Sequence, residues 1–69
     1  MTTRTVEDKL RVLLPHWIEH NAEHAAEFRR WARVATGAEP EIEAAATQLE
    51  AANAALTIAL EKLRADESA

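Results

Sequence analysis

The chain has 69 residues, no cysteine, 48% hydrophobic residues and a formal net charge of −4. A chain this short forms one domain at most, and a core of this size supplies only about 3–5 kcal/mol, so small proteins usually add disulfides, a metal or a partner. The lack of cysteine excludes disulfides, thiolate metal ligands and cysteine nucleophiles. The acidic balance argues against sequence-independent nucleic-acid binding. Self-association, a metal ion, or both therefore remain as ways to stabilise the fold.

The first nine residues are polar, and no apolar stretch long enough for a signal peptide follows them. The longest apolar run covers residues 12–15, far fewer than the ~20 residues that a membrane span requires. We therefore expect a cytoplasmic protein that does not enter membranes.

The first predicted helix covers about residues 6–36. Thr5 followed by Asp8 is a capping signal at its start, and Gly37 can supply the left-handed residue directly after its end. Spacings of 3 and 4 predict one stripe that faces partner helices, with its tryptophans in the core. The asparagine in the stripe is typical of a buried residue that fixes register and oligomeric state. The stripe consists of Leu10, Leu14, Trp17, Asn21, His24, Phe28, Trp31 and Ala35.

Pro15 lies inside the first predicted helix. It cannot donate a hydrogen bond to the Arg11 carbonyl and its ring clashes there, which costs about 3 kcal/mol in a helix interior. Either the helix kinks at Pro15, or a short helix ends near Leu13 and another begins with Pro15 in its first turn. Because the apolar stripe keeps its phase through the proline, we favour a kink or tight break.

The second predicted helix covers about residues 40–64 and follows a turn at residues 37–39. A short connection forces the two helices antiparallel, so we predict an all-α fold, an antiparallel helical hairpin in one domain over residues 1–69. Two hairpins would then pair as a homodimer into a four-helix bundle and bury the wide stripes that one hairpin leaves exposed. The stripe of the second helix consists of Ile42, Ala45, Leu49, Ala52, Leu56, Ala59 and Leu63.

Charged residues flank the predicted turn on both sides. Basic residues at the end of the first helix and acidic residues at the start of the second suit both helix dipoles and can pair across the turn. We favour this structural role over phosphate binding. The residues are Arg29, Arg30 and Arg33, followed by Glu39, Glu41 and Glu43.

Histidine and glutamate recur along the middle of the first helix, and residues 12–28 hold no lysine or arginine. Histidines four apart on a helix are a recognised metal-ligand spacing. Imidazole together with carboxylate suits Zn, Ni, Co, Cu or Fe(II). Five of these side chains share about 100° of the helix surface, and we call them the histidine ladder: His16, His20, Glu23, His24 and Glu27.

Within the ladder we predict a divalent transition-metal site of His20, His24 and Glu27, with His16 or Glu23 auxiliary. His24 lies on the apolar stripe and His20 beside it, so this pair can be shielded from water. The second helix carries no ligand on its stripe, so the other ligands are water or a second copy, whose ladder would bring the total to four histidines. Binding should weaken as the pH falls through about 6–7, because ligating histidines must be neutral. The alternative is an ordinary solvated face with histidine–glutamate pairs.

The middle of the first helix resembles a signature of short, uncharacterised helical proteins of prokaryotes, on the stretch HWIEHNAEHAAEF from His16 to Phe28. The resemblance implies no activity. Two functions stay open, a metal-binding protein for sensing, delivery or storage, and a structural interaction module without a ligand. An enzyme ranks last, because the chain has no tyrosine or cysteine and a hairpin offers no cleft. A ferritin-like di-iron site is disfavoured because it needs Glu-x-x-His motifs.

Overall fold

Two long helices make up the fold. The structure is a computed structural model that describes residues 3–68, with side-chain surroundings for residues 5–66. Helix α1 covers Thr3–Ala32 and helix α2 covers Glu39–Ser68. They pack antiparallel in a hairpin that measures 50 × 17 × 15 Å, and the described part of the chain has no strand. The predicted all-α helical hairpin is therefore confirmed.

The helices begin and end at other residues than the sequence predicted. Helix α1 begins at Thr3, so Thr5 lies inside the helix and its predicted capping role is wrong. Helix α1 ends at Ala32 and not at Thr36, because the chain tightens there: the Val34 amide donates to the Trp31 carbonyl at 3.1 Å. Helix α2 extends at both ends beyond the predicted residues 40–64.

Residues 33–38 connect the two helices. Gly37 lies within this connection and has a φ of +90°, a conformation that glycine adopts without steric cost. The predicted left-handed glycine is confirmed, but it follows the last helical residue by five positions instead of one. The apolar pattern continues through Ala35 and so could not mark where the helix ends.

Helix α1 continues through Pro15 as one helix. Pro15 is half-buried, and the residue before it, Leu14, is part of the core. The alternative of two separate helices is therefore wrong. A kink within the continuous helix stays a prediction.

The seam between the helices is lined mainly by alanine and leucine. The buried residues are 0–6% exposed: Leu14, Ala25, Ala32, Ala46 and Leu60. Because three of the five are alanines, the two helix axes can approach closely. Half-buried residues continue the seam at spacings of 3 and 4, namely Ile18, Asn21 and Phe28 on α1 and Ile42, Leu49, Asn53, Leu56 and Leu63 on α2.

Part of each predicted stripe lies beside this seam and not in it. Trp17 is 40% exposed and Trp31 is 64% exposed, and His24, Ala45 and Ala52 are exposed as well. The prediction that the tryptophans lie in the core is therefore wrong for one hairpin by itself, and their burial by a second copy stays a prediction. An indole is too bulky for a seam whose width is set by Ala25, Ala32 and Ala46, so α1 turns its column of Ala25 and Ala32 inward and its tryptophans lie to the side.

Two asparagines form hydrogen bonds across the seam. The Asn21 side-chain amide donates to the Asn53 side-chain oxygen at 3.0 Å, and the Asn53 amide donates to the Ile18 carbonyl at 2.9 Å. These directional bonds determine which turn of α2 faces which turn of α1. Asn21 thus fixes register within one chain, and its effect on oligomeric state stays a prediction.

Candidate functional site: the two edges of the hairpin

The seam separates two long edges with different chemistry. We call one the charged edge, and it contains Arg11, Arg29, Glu43 and Glu50. We call the other the aromatic edge, and it contains Trp17, His20, His24 and Trp31 of α1 with Ala45 and Ala52 of α2. Side chains from both helices line one shallow depression on the aromatic edge, and Trp31 and Ala45 are among them. The two helices therefore form this edge together.

Side chains on the charged edge find their partners within the chain. Arg29 donates to Glu43 and to Glu50, each at 2.5 Å. The hydrogen bonds and negative charges of Glu50 and Glu43 raise the pKa of Arg29. Arg11 donates to the Leu63 carbonyl at 3.0 Å. The predicted pairing across the turn is thus confirmed for Arg29 and Glu43, and this edge is held closed by ionic and polar contacts.

The aromatic edge leaves large side chains exposed. Trp17 and Trp31 lie two heptads apart on α1, and His24 lies midway between them. The α2 side of the edge consists largely of alanine, with Ala45 and Ala52 both exposed. The sequence predicted one stripe on each helix that packs against partner helices, and within one hairpin these members of the stripes lie beside the seam.

The histidines of the ladder lie in a row on the aromatic edge and its outer border. The His20 and His24 rings have centroids 4.5 Å apart with planes at 68°, whereas the His16 and His20 rings are 6.0 Å apart and nearly parallel at 10°. The His24 ring also lies 6.2 Å from the Phe28 ring. All three histidines are exposed, so the prediction that His20 and His24 are shielded is wrong for one hairpin by itself.

The glutamates of the ladder are divided between different neighbours. Glu23 lines a small surface notch with His16, Glu19 and His20. A carboxylate oxygen of Glu27 instead lies 3.9 Å from a guanidinium nitrogen of Arg30. Arg30 follows shortly after residues 12–28, which contain no lysine or arginine. This i,i+3 spacing was the signal in the sequence that could have separated Glu27 from the histidines.

One hairpin does not gather the predicted ligands into a complete group. Over the described residues, no set of three or more histidine, aspartate or glutamate side chains is arranged to hold a metal ion. The pair His20 and His24 is the closest arrangement to the predicted site of His20, His24 and Glu27. Metal binding therefore stays a proposal, and it needs ligands from outside one chain.

Comparison with known proteins found one family whose model matches most of the chain. The profile of a family described as a domain of unknown function (DUF8180) matches residues 10–63, which include the whole ladder. Neither the curated proteins nor the solved structures gave a match. The match agrees with the predicted resemblance to an uncharacterised family, while the signature and the prokaryotic origin stay predictions. Within the described residues, neither helix is long and apolar enough to cross a membrane.

Proposed function

Because the chain belongs to the DUF8180 family, whose function is unknown, we propose its function from the geometry: the hairpin is a self-associating interaction module. Two copies pair through their aromatic edges into a dimeric four-helix bundle. The observation that carries this proposal is the one-sided exposure of Trp17 and Trp31, opposite an edge that ion pairs already close. Exposed aromatic side chains concentrated on one surface are typical of protein interfaces.

The hairpin exposes more surface than a compact monomer of the same mass, which supports a partner as large as a second copy. The chain exposes 5127 Å², whereas a compact monomer of 7.7 kDa would expose about 4,300 Å². The excess of about 800 Å² equals the area that each partner gives to a standard interface. The long side of the hairpin measures 50 by 15–17 Å and is large enough to provide it.

A second copy fits this edge because the edge is symmetric along α1. Trp17 and Trp31 each lie seven residues from His24. A two-fold axis level with His24 would place Trp17 of one copy beside Trp31 of the other. The exposed alanines Ala45 and Ala52 leave room for these indoles, and alternation of large and small side chains allows helices to interdigitate.

Sedimentation equilibrium at micromolar concentration tests the proposal. We expect a dimer for the natural chain and a monomer for Trp31→Glu, because the new carboxylate would have to be desolvated in the interface. The matched control is Ile58→Glu, since Ile58 is 55% exposed on the outer surface of α2. A folded natural chain that stays monomeric, or equal effects of the two substitutions, would overturn the proposal.

We also propose that α1 bends at Pro15 within the continuous helix. The support is chemical, because proline offers no amide hydrogen to the carbonyl four residues earlier. Helical carbon shifts in solution should weaken around residues 11–15, and Pro15→Ala should raise the helicity. Unweakened shifts together with unchanged helicity would exclude the bend.

A further inference from the structure

We infer that the second copy completes a transition-metal site on the aromatic edge, in which His20 and His24 of each copy ligate one ion on the two-fold axis. The inference rests on the proposed dimer. The ligand is a divalent ion that prefers imidazole, from the group Zn, Ni, Co and Cu.

The rings of His20 and His24 already have the separation that a shared ion requires. With metal–nitrogen distances of ~2.0–2.1 Å, two imidazoles on one tetrahedral or square-planar ion have ring centroids about 4.5–5.2 Å apart. The observed separation is 4.5 Å, with planes inclined at 68°. This is the value for an angle of about 90° at the metal, and a tetrahedral ion would require the two exposed rings to move apart by about 0.7 Å. The nearly parallel rings of His16 and His20, 6.0 Å apart, lie outside that range. The geometry therefore selects one pair among the three histidines.

One chain supplies only half of a four-coordinate site. Structural metal sites of this kind are closed by four protein ligands, and the described residues of one chain hold no group of three. Glu27 lies beside Arg30, and the neighbouring surface of α2 offers Ala45 and Ala52, which have no donor atoms. In the proposed site, the missing ligands come from the molecule that covers the edge and not from water, because structural sites are closed by protein ligands.

The symmetry of the aromatic edge brings the second pair to the right level. The midpoint between Trp17 and Trp31 is His24, and the midpoint between His20 and His24 is Ala22. These two positions differ by two residues, which is about 3 Å along a helix. An axis level with His24 would therefore offset the two histidine pairs by about 6 Å, and an axis midway between Ala22 and His24 reduces this offset to about 3 Å while it keeps Trp17 of one copy beside Trp31 of the other.

The notch beside His20 provides the surroundings that such ligands usually have. Metal-bound histidines commonly donate their second ring N–H to a carboxylate, which fixes the ring orientation. Glu19 and Glu23 line the notch together with His16 and His20. We assign these two glutamates an orienting role for His20, with the metal bound by nitrogen alone.

Calorimetry and native mass spectrometry with ZnCl₂, on protein purified without an affinity tag, test the inference. We expect one ion for every two chains, and with CoCl₂ the intense visible absorption of tetrahedral cobalt. His20→Ala and His24→Ala should each weaken zinc binding by at least tenfold, and by more than they weaken the metal-free dimer, in whose proposed interface both residues lie. His16→Ala is the matched control and should retain both zinc binding and the dimer.

The outcomes separate this inference from the proposed dimer. A metal-free dimer that takes up no zinc, nickel, cobalt or copper overturns the metal site and leaves the interaction module standing. One ion per chain, or a monomeric Trp31→Glu variant that binds zinc as tightly as the natural chain, overturns the shared site. A natural chain that is monomeric without metal and with it overturns both.

Discussion

The charged edge and the aromatic edge border the same seam, yet they satisfy their side chains in opposite ways. On the charged edge, Arg29 reaches two carboxylates of α2 and needs nothing outside the chain. On the aromatic edge, Trp17 and Trp31 stay exposed beside alanines of α2. A two-helix hairpin therefore has enough residues to close one side by itself. The other side is where it can meet a partner.

Replacement of both tryptophans should give the largest effect, because it makes the aromatic edge resemble the charged one. Removal of a tryptophan that acts as an interface hot spot costs at least ~2 kcal/mol, so Trp17→Glu with Trp31→Glu should weaken the proposed dimer about 1,000-fold or more. The Tm should also stop depending on protein concentration. Analytical ultracentrifugation and melting at several concentrations measure both. Val12→Glu with Ile58→Glu is the control, and equal losses in both double variants would show that the edges do not differ.

Asn21→Leu should destabilise the hairpin itself by about 1–3 kcal/mol, because the side-chain oxygen of Asn53 would lose its partner inside the seam. For a domain of this size the Tm should fall by about 4–8 °C per kcal/mol. The double change Asn21→Leu with Asn53→Leu should recover part of this loss, since it removes both polar groups. Thermal melts monitored by circular dichroism measure the difference. A double variant as unstable as the sum of the two single variants would contradict the pairing.

Gly37→Ala should cost about 1–2 kcal/mol through backbone strain, because Gly37 has a φ of +90°. An added Cβ would meet no atom within 4 Å, so steric contact adds nothing to that cost. Gly37→Asn should be milder, since asparagine tolerates this region better than alanine. Urea denaturation measures both variants. The connection belongs to neither edge, so Gly37 variants should leave dimerisation unchanged. A variant that changed the dimer dissociation constant after correction for stability would show that the connection contributes to the interface.

Arg29→Ala should have the smallest effect, a slight fall in Tm that disappears at high salt because exposed ion pairs are screened. The pKa of Arg29 is raised by Glu50 and Glu43. A raised pKa stabilises the fold below the range in which free arginine titrates, so this contribution should stay constant from neutral to mildly alkaline pH. Melts at low and high NaCl measure the effect. A salt-independent loss would mean that Arg29 acts through packing.

The sequence predicted the hairpin but misplaced its seam. Leu14, Asn21 and Phe28 belong both to the predicted stripe and to the observed seam. Trp17 and Trp31 do not, because hydropathy patterns rank tryptophan above alanine, whereas close helix packing favours the small side chain. On α1, both the seam column and the column of Trp17 and Trp31 are apolar enough to face a partner. Only the fit between the two helices decides which column is inside.

The ladder shows the same limit of sequence reasoning. Helical spacing correctly placed His20 and His24 side by side, with rings 4.5 Å apart. The prediction considered only residues 12–28 and so overlooked Arg30, which lies three residues after Glu27 and beside it in the structure. Membership of the apolar stripe is also a sign of burial, and the sequence therefore predicts that His24 is shielded from water. The expectations that the chain has no enzymatic activity, binds no nucleic acid and is cytoplasmic stay predictions.

The hydrogen bond from Arg11 to the Leu63 carbonyl joins residues 52 positions apart, at the end of the hairpin farthest from the connection. Each additional turn that pairs from the connection outward closes only a slightly longer loop, at a small extra entropic cost. The two helices should therefore pair from residues 33–38 towards Arg11. They should begin to separate at the other end, where the hydrogen bond from Arg11 to the Leu63 carbonyl breaks. Amide hydrogens of residues 60–64 should accordingly exchange with solvent earlier in an Arg11→Met variant, while those around Ala46 keep their protection. The Arg11 guanidinium would then determine how readily this end of the hairpin opens.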